Sequence, residues 1–554
     1  MTFALALAIV AAPIALAKKG NKTQVAQNLN IFSAIYKELQ TSYVDSLDSN
    51  KDIRNAIDAM LGQIDPYTEY YPIEEQEALT QISSGEFSGI GSYIMQRNGQ
   101  VVLSEPQWGS PARTAGVKHG DVLIAIDGDT LPRGFSSSEA SKRLRGQAGT
   151  HVHLTVKRPF VQDSILDFDI VRGTIRTDPV PYYGMLRDGV GYIRLTTFNE
   201  KSAAGVKEGL LALKKNPDLK GVVLDLRDNG GGLLESAVQI VGFFVPKGTE
   251  VVSTRYRDSS NEKTYKTTQQ PIDTEIPLAV LVNGGTASAS EIVSGSLQDL
   301  DRAVIIGERS YGKGLVQSSR PLPYDGLLKL TVARYYIPSG RLIQAIDYSH
   351  RNPDGSVARI PDSLTNVYQT RAGREVRDGG GITPDIKVEQ PEANRLIYNV
   401  VADLWSYDYA NRFAARQGDN MPPAAEFEIT DSIFEDFKAF IDPDKFQYDK
   451  LCESGIKMLR EAAESEGYMT DSVSSQFDIL EGLLKHNLNH DLDHNRKELV
   501  RILDSEISAR YYSEGDRVMR DIRDDLDVDA AIEMFTTPGE YQKLLSPAGA
   551  GKKP

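Results

Sequence analysis

The stretch LAVLVNGGTASASE, residues 278–291, passes from an unbroken apolar run through two glycines to a serine and a glutamate. Five consecutive apolar residues bounded by turn residues are typical of a strand that is buried on both faces. The glycines allow a sharp turn, and we expect a helix to begin near Ser288 and to continue to about residue 299. A buried strand, a tight turn and a helix in this order form one unit of an α/β domain with a mixed sheet.

Strands and helices alternate on both sides of this stretch, over residues 170–390. The predicted strand 221–226 leads into Gly230-Gly231-Gly232. These glycines leave bare backbone N–H groups at the carboxyl end of the strand, where α/β sheets place their sites. Residues 345–377 are polar with scattered proline and glycine, and we interpret them as an inserted loop. The other predicted core elements are strands at 190–195, 303–306 and 327–336 and helices at 203–213 and 238–244.

Three further regions flank this core, so that the predicted fold class is an α/β (α+β) multidomain protein. Residues 22–80 have apolar positions at helical spacing and predict a helical N-terminal region. Residues 85–160 contain short β-type runs separated by glycine-containing turns. Residues 391–545 show helical patterns alone, and they predict a separate, acidic, all-helical C-terminal domain.

Residues 1–17 are almost entirely apolar and end in Ala15-Leu16-Ala17 ahead of two lysines. This pattern is typical of the apolar core and cleavage site of a secretory signal peptide, although the usual basic residues before it are missing. A retained membrane anchor is the alternative. In either case the sequence predicts that the rest of the chain lies beyond a membrane, in the periplasm or cell envelope of a bacterium.

The bulk composition argues against several classes of function. The 554 residues include 62 Lys and Arg and 77 Asp and Glu, for a net charge of −15, so nucleic acid or an anionic membrane surface is not expected as the main partner. Cys452 is the single cysteine and cannot form an internal disulfide. Zinc-type spacings are missing, and we interpret His486, His490 and His494 as solvated, so neither a metal nor a cofactor is predicted.

Ser288 and Lys313 are the residues that predict catalysis. A serine hydroxyl is a weak nucleophile until a neighbouring base takes its proton. Lysine can be that base when burial disfavours its charged form. Lys313 lies between Gly312 and Gly314, and the segment that links it to the serine is long enough for one helix, one strand and a loop. That path would return the chain beside Ser288.

Backbone amides near Ser288 are the expected donors to a developing oxyanion. The N–H groups of a first helical turn have no partner within the helix and carry partial positive charge, so the Ala289 amide is one candidate. The glycine run supplies the second candidate, Gly231 or a neighbour. The alternative is that Ser288 only caps the helix, by accepting a hydrogen bond from a backbone N–H.

In this order, LDLRDNGGG (224–232), GGTASASEI (284–292), GERSYGKGLVQ (307–317) and RDGGGITPDI (377–386) resemble the motifs of the C-terminal processing peptidases, also called tail-specific proteases, of serine peptidase family S41. The resemblance implies that Ser288 is the nucleophile and Lys313 the general base. It also implies that Gln317 positions the lysine and that Glu291 has a supporting role. Two features depart from the family: the loop 345–378 is long, and the C-terminal helical domain is large.

Residues 85–160, with the run SPARTAGVKHGDVLIAIDG at 110–128, resemble a PDZ domain, which is a small β-barrel module. Ser88, Gly89, Ile90 and Gly91 precede its first strand. Their backbone N–H groups can hold the terminal carboxylate of a peptide that adds to the sheet as an extra strand. The alternative is a small β-barrel that serves only for packing.

The sequence therefore predicts a secreted serine endopeptidase that cuts proteins near their C-termini. Its expected partners are proteins or peptides with a free C-terminus and, through the C-terminal helices, a second copy of the chain or an adaptor. The resemblance implies further that the PDZ domain gates the active site. The alternatives are an inactive peptide-binding scaffold, a hydrolase for non-peptide esters, and a Ser–His–Asp triad that would use a histidine such as His350.

Overall fold

The computed structural model describes residues 3–76, 84–162, 164–258, 261–352, 354–391 and 394–547, and for residues 3–22 it describes the backbone alone. Residues 1–2 of the predicted signal segment and residues 77–80 of the predicted N-terminal region lie outside these ranges. The chain divides into two compact units. The first contains Met1–Glu74 and Gln317–Thr331, and the second contains Glu75–Val316 and Val332–Pro554.

The first unit contains two helices and a strand pairing. The helices are Phe3–Ser42 and Ser49–Gly62, and Asp48 caps the second helix by accepting hydrogen bonds from two of its first N–H groups. Strand Glu69–Tyr71 pairs antiparallel with the first residues of strand Leu327–Tyr336. A three-residue strand is too short to show an alternating pattern, which is why the sequence predicted helices alone. Across the described ranges, no helix is long and apolar enough to cross a membrane.

A six-stranded sheet lies at the centre of the second unit. Its first two strands are antiparallel and all later neighbours are parallel, so the sheet is mixed, as predicted. The two strands at its centre are buried along their whole length. In spatial order the strands are Tyr182–Met185, Val190–Arg194, Gly221–Asp225, Leu278–Val282, Val304–Gly307 and Ile386–Lys387.

Both faces of this sheet are covered, because its strands are apolar on both sides. Helices Ser202–Leu213, Leu234–Val241 and Ala289–Asp299 share one apolar core with one set of alternating strand residues. The other set packs against helix Leu526–Thr536. This helix lies within the predicted C-terminal helical domain and covers the second face of the sheet.

The region resembling a PDZ domain has an open antiparallel sheet. Ser92–Arg97 and Ile165–Val171 are its two edge strands, so it is not the closed barrel that we expected. A separate short ribbon joins Glu86–Gly89 to Gly173–Arg176. The strands in order are Ser92–Arg97, Gln100–Pro106, Asp121–Ile126, His151–Lys157 and Ile165–Val171, with Asp129–Thr130 beside the third, and the helices are Pro111–Ala115 and Ser137–Leu144.

Charged contacts attach this PDZ-like domain to the C-terminal helices. Arg97, on the edge strand, donates two hydrogen bonds to the Asp408 carboxylate, at 2.5 and 2.6 Å. Glu105, on the next strand, pairs with Arg517 at 3.0 Å. The Arg97–Asp408 pair is bidentate, and such a pair fixes orientation as well as distance, so it constrains how the domain lies against the helices.

The C-terminal helices have an apolar core of their own. Phe434 and Phe437 are fully buried in it, together with Tyr409. Threonine or asparagine side chains accept hydrogen bonds at several of the helix starts, which is the usual capping chemistry. The helices are Arg395–Ala402, Trp405–Gln417, Asp431–Phe440, Leu451–Ser465, Asp471–Leu483, Leu488–His494, Arg496–Tyr511, Glu514–Asp521, Leu526–Thr536 and Glu540–Leu544.

A second sheet borders the serine helix. Strand Glu250–Tyr256 pairs antiparallel with Glu262–Lys266 and with the last residues of Leu327–Tyr336, so that Thr254 lies opposite Tyr335. The expected loop at 345–377 instead contains two short hairpins. They are formed by Ile346–Arg351 with Val357–Arg359 and by Val367–Gln369 with Glu375–Arg377, and their strands are too short and polar to be recognised from alternation.

Candidate active site

Ser288 lies at a strained turn between a buried strand and a helix. Strand Leu278–Val282 ends at the turn, and helix Ala289–Asp299 begins directly after the serine. Ser288 has φ 56° and ψ −114°, a conformation that L-residues rarely adopt and that costs on the order of 1–3 kcal/mol. Ser288 forms a capping box with Glu291 at the start of this helix, so the capping role is present. An ordinary N-cap residue is extended, however, so capping alone does not account for this backbone. Strained strand-to-helix turns of this kind expose a nucleophilic serine in other hydrolase folds.

The turn at 283–288 is fastened to the glycine loop at 226–232. The Thr286 hydroxyl donates to the Leu226 carbonyl at 2.9 Å. The carbonyl of Asn229 accepts hydrogen bonds from the Ala287 amide at 3.0 Å and from the Ser290 hydroxyl at 2.8 Å. Asn229 is fully buried. Both loops follow neighbouring parallel strands, so their carboxyl ends meet at one edge of the sheet.

Gly231 approaches the serine so closely that no side chain fits. A Cβ at this position would lie 2.8 Å from Ser288 Cβ, 2.8 Å from the Ala289 nitrogen and 2.7 Å from the Ala287 oxygen, and its φ is +97°. The Ala289 amide is the first of the helix and therefore has no partner within it. The missing side chain of Gly231 leaves the space beside that amide open.

The amide of Gly231, predicted to be the second oxyanion donor, has a partner already. It donates to Asn229 Oδ1 at 2.9 Å. A role at an oxyanion would require the amide to exchange that acceptor for the reacting oxygen. The assignment of Gly231 as a donor therefore stays a prediction, and its close approach to Ser288 is the role that the geometry shows.

The Glu291 carboxylate lies between the serine turn and the lysine loop and accepts hydrogen bonds from both. Its Oε2 accepts from the Ser288 amide at 2.9 Å and from the Lys313 amide at 2.8 Å. Its Oε1 accepts from the Gly312 amide at 2.7 Å and from the Ser310 hydroxyl at 2.5 Å. One fully buried carboxylate thus holds the backbones of the two predicted catalytic residues together.

Burial raises the pKa of Glu291 to about 7, although hydrogen bonds from Ser310 and from the amides of Lys313, Ser288 and Gly312 act in the opposite direction. The cause is the loss of hydration, which disfavours the charged carboxylate. This carboxyl therefore loses its proton near neutral pH rather than near its ordinary pKa of 4.5.

We expect Glu291 to make folding stability fall as pH rises toward neutrality. Below about pH 4.5 the carboxyl is protonated in both the folded and the unfolded chain, and its full contribution to the free energy of unfolding is present. As pH rises to about 7, only the unfolded chain loses the proton, so stability on the order of 3 kcal/mol is lost. Urea unfolding of wild type and Glu291→Gln at several pH values measures this, because glutamine cannot titrate. Parallel pH slopes for the two proteins would contradict the expectation.

Lys313 lies half-buried on a loop that two glycines shape. Gly312 has φ +89°, and a Cβ there would lie 2.3 Å from Ala345 Cβ. The Gly314 amide donates to Gln344 Oε1 at 2.7 Å. The two glycines therefore let the backbone approach its neighbours closely, and the Lys313 amide reaches the carboxylate that also holds Ser288.

Tyr335 is a further residue that contacts both predicted catalytic residues, and the sequence reasoning missed it. Its side chain is 1% exposed. Its single hydroxyl proton is shared between the Ser288 carbonyl, at 3.1 Å, and the Lys313 carbonyl. The tyrosine is more than 20 positions from Lys313 in an ordinary alternating strand, and no local pattern distinguishes it.

Gln317 belongs to the first unit, whereas Ser288 and Lys313 belong to the second. Within the first unit its side-chain amide donates to the Thr331 hydroxyl at 3.2 Å. The role that the family resemblance implies for it, positioning the lysine, stays a prediction.

The four predicted tail-binding residues lie where the PDZ-like domain begins. Ser88 and Gly89 are paired with the strand Gly173–Arg176. The carbonyls of Ile90 and Gly91 accept hydrogen bonds from the helix Pro111–Ala115 and from the turn before it. Their role in holding a carboxylate stays a prediction, and the strand that follows them is an edge of the sheet, where a peptide strand can add.

His490 and His494 are exposed, as expected, whereas His486 is half-buried against the Tyr448 ring and is not solvated. His350 is exposed and bonds to Asp347 at 2.6 Å. His486 bonds to Asp491 at 2.9 Å. Among the residues that the structure describes, no three His, Cys, Asp or Glu side chains are grouped so as to hold a metal ion.

Comparison with family models identifies three regions of the chain. Residues 189–354 match the model described as peptidase family S41. Residues 102–158 match a PDZ domain. Residues 396–535 match a model described as a probable PDZ-protease C-terminal helical domain. The first match contains Ser288, Glu291, Lys313 and Tyr335.

Several relatives match this chain over most of their length. A carboxy-terminal-processing protease from Bartonella bacilliformis is 38% identical over 374 residues, which cover 67% of this chain and 77% of the relative. The carboxy-terminal processing protease CtpA of Bacillus subtilis is 32% identical over 414 residues, which cover 73% and 86%. Among solved structures, the photosystem II D1 C-terminal processing protease is 28% identical, with 65% of this chain and 86% of that chain covered and a TM-score of 0.37.

Proposed function

Since the chain belongs to the carboxy-terminal processing proteases of serine peptidase family S41, we propose that it cleaves protein substrates near their C-termini by a Ser–Lys mechanism. The observation that supports this most directly is the Glu291 carboxylate, whose single oxygen Oε2 binds the amides of both Ser288 and Lys313. Because one oxygen accepts hydrogen bonds from two residues of separate loops, it holds their backbones close together, as a nucleophile and its base require.

In the proposed reaction, neutral Lys313 takes the proton of the Ser288 hydroxyl as the oxygen attacks the substrate's peptide carbonyl. The Ala289 amide donates to the oxyanion of the tetrahedral intermediate. The lysine then gives its proton to the leaving amine, and an acyl group remains on the serine. Water, deprotonated by the same lysine, hydrolyses this ester and restores the enzyme.

We assign the substrate's C-terminal tail to the PDZ domain and infer that tail binding gates the active site. The tail would add to the edge strand Ser92–Arg97, with its carboxylate at the amides of residues 88–91. A gate needs an element with two discrete arrangements, and contacts such as Arg97–Asp408 hold the domain in the one arrangement that the structure describes. We place the enzyme in the periplasm or cell envelope, in line with the apolar segment at residues 1–17.

Cleavage should depend on a free carboxylate at the substrate's end. We expect a model protein with an apolar C-terminal tail to be cut at least about tenfold faster than the same protein with an amidated tail, because the loop amides then lose a charged partner. Intact-mass analysis of timed digests measures both rates and locates the cuts, with the Ser288→Ala protein as the blank. Equal rates for the two tails would contradict the tail-reading role and leave the peptidase chemistry intact.

A further inference from the structure

Tyr335 is the only residue besides Glu291 that is shown, among the described residues, to hydrogen-bond the backbone of both Ser288 and Lys313. Its ring is buried, and its hydroxyl lies between two carbonyls, donating to Ser288 O at 3.1 Å and to Lys313 O. Its own amide donates to the Gly314 carbonyl at 3.0 Å. The side chain and the backbone of one tyrosine therefore both hold the lysine loop.

Tyr335 and Glu291 contact different backbone groups of the same two residues, Ser288 and Lys313. Glu291 Oε2 accepts from the N–H groups of Ser288 and Lys313. The Tyr335 hydroxyl donates to their C=O groups. Each predicted catalytic residue is thus held through its N–H by a carboxylate and through its C=O by a phenol. An acceptor and a donor that are each shared in this way fix the relative position of the two backbones.

This double restraint matters because neither backbone would keep its position unaided. Ser288 has a φ of 56°, and such strain persists only when surrounding contacts over-determine it. Lys313 lies between two glycines, the residues with the greatest conformational freedom. A base and a nucleophile need placement within about 0.5 Å, and about 1 Å of misplacement can cost about 100-fold in rate.

We propose that Tyr335 is a positioning residue of the peptidase: its hydroxyl holds the Ser288 and Lys313 carbonyls so that the lysine amine stays within reach of the serine oxygen. The inference rests on the Ser–Lys mechanism proposed above. Tyr335 acts through the two backbones and requires no contact with the substrate. Binding of substrate should therefore be unaffected when the hydroxyl is removed, whereas the chemical step should slow.

The test compares Tyr335→Phe with Tyr409→Phe. Tyr409 is a matched control, because it is also fully buried and its hydroxyl donates to a backbone carbonyl, that of Ile433, at 2.8 Å, within the helical domain. We expect Tyr335→Phe to lower kcat about 100-fold with KM within about twofold, whereas Tyr409→Phe should keep kcat within about threefold. Labelling of Ser288 by a fluorophosphonate should slow in parallel with kcat, and the two variants should have similar melting temperatures.

Equal kcat values for the two variants, with wild-type labelling of Ser288, would overturn the inference and leave the Ser–Lys mechanism standing. Full activity of Lys313→Ala would contradict the mechanism itself and this inference with it. If Tyr335→Phe melts below the assay temperature, a variant with 4-aminophenylalanine at position 335 provides the test instead, because its amine restores a hydrogen-bond donor. We expect that protein to fold and to recover kcat to within about tenfold of wild type; a folded but inactive protein would overturn the inference.

Discussion

Lys313→Ala is expected to stop cleavage, with kcat lowered by about 1000-fold or more, because the serine then has no base to take its proton. Ser288→Ala should reduce cleavage to the uncatalysed background for the complementary reason. Lys313→Arg should be as inactive as the alanine variant, since a guanidinium keeps its proton at any usable pH. Digestion of a tagged protein substrate, followed by gel and by mass spectrometry, measures all three variants against wild type.

The matched control for this series is Lys247→Ala, because Lys247 is an exposed lysine of the same unit. It should cleave at the wild-type rate. Near-full activity of Lys313→Ala would show that another group is the base. Activity of Lys313→Arg close to wild type would show that position 313 needs only a positive charge. A wild-type protein that cleaves nothing, with or without a free tail, would favour a peptide-binding scaffold.

Gly231→Ala is the substitution outside Ser288 and Lys313 from which we expect the largest loss of activity. The new Cβ would lie within 2.8 Å of Ser288 Cβ, the Ala289 nitrogen and the Ala287 oxygen. It would push the serine from its place and fill the space beside the Ala289 amide, and the φ of +97° adds backbone strain. We expect kcat to fall more than about 100-fold and stability to fall by about 2–4 kcal/mol.

Gly284→Ala provides the control for this substitution, because Gly284 lies in the same serine turn and a Cβ there would meet nothing within 4 Å. Its kcat and its urea midpoint should both stay close to those of wild type. A Gly231→Ala protein with wild-type kcat would mean that the turn can yield without moving the serine. In that case the close approach of the glycine would be a matter of packing alone.

The family, the enzyme class and the multidomain α/β fold are confirmed. The fold class was predictable because local signals such as the apolar strand 278–282 before two glycines carry it, whereas the family came from the resemblance of motifs such as GGTASASEI and GERSYGKGLVQ. Glu291 was named through the family resemblance, and the four hydrogen bonds that it accepts could not be read from spacing. Its partners come from two segments, the serine turn and residues 310–313, and the second segment lies 19 to 22 positions beyond Glu291.

Features that depend on distant contacts could not be predicted. Tyr335 is one alternating strand residue among ten, and its hydroxyl is important only because the serine turn and the lysine loop end beside it. Gly231 was chosen for its amide, but Asn229 already binds that amide. The packing of helix Leu526–Thr536 on the sheet could not be predicted either, because sequence periodicity reports an apolar face and not which surface covers it.

The pairs Arg97–Asp408 and Arg517–Glu105 limit how far this protein can be treated as a set of interchangeable modules. A PDZ segment transplanted from a relative would leave two half-buried charges of the helices without their counter-ions, which is a costly arrangement. Chimeras that alter substrate choice therefore have to exchange strand residues 92–106 together with the helical residues that face them. In evolution the same requirement would make these distant positions change in concert.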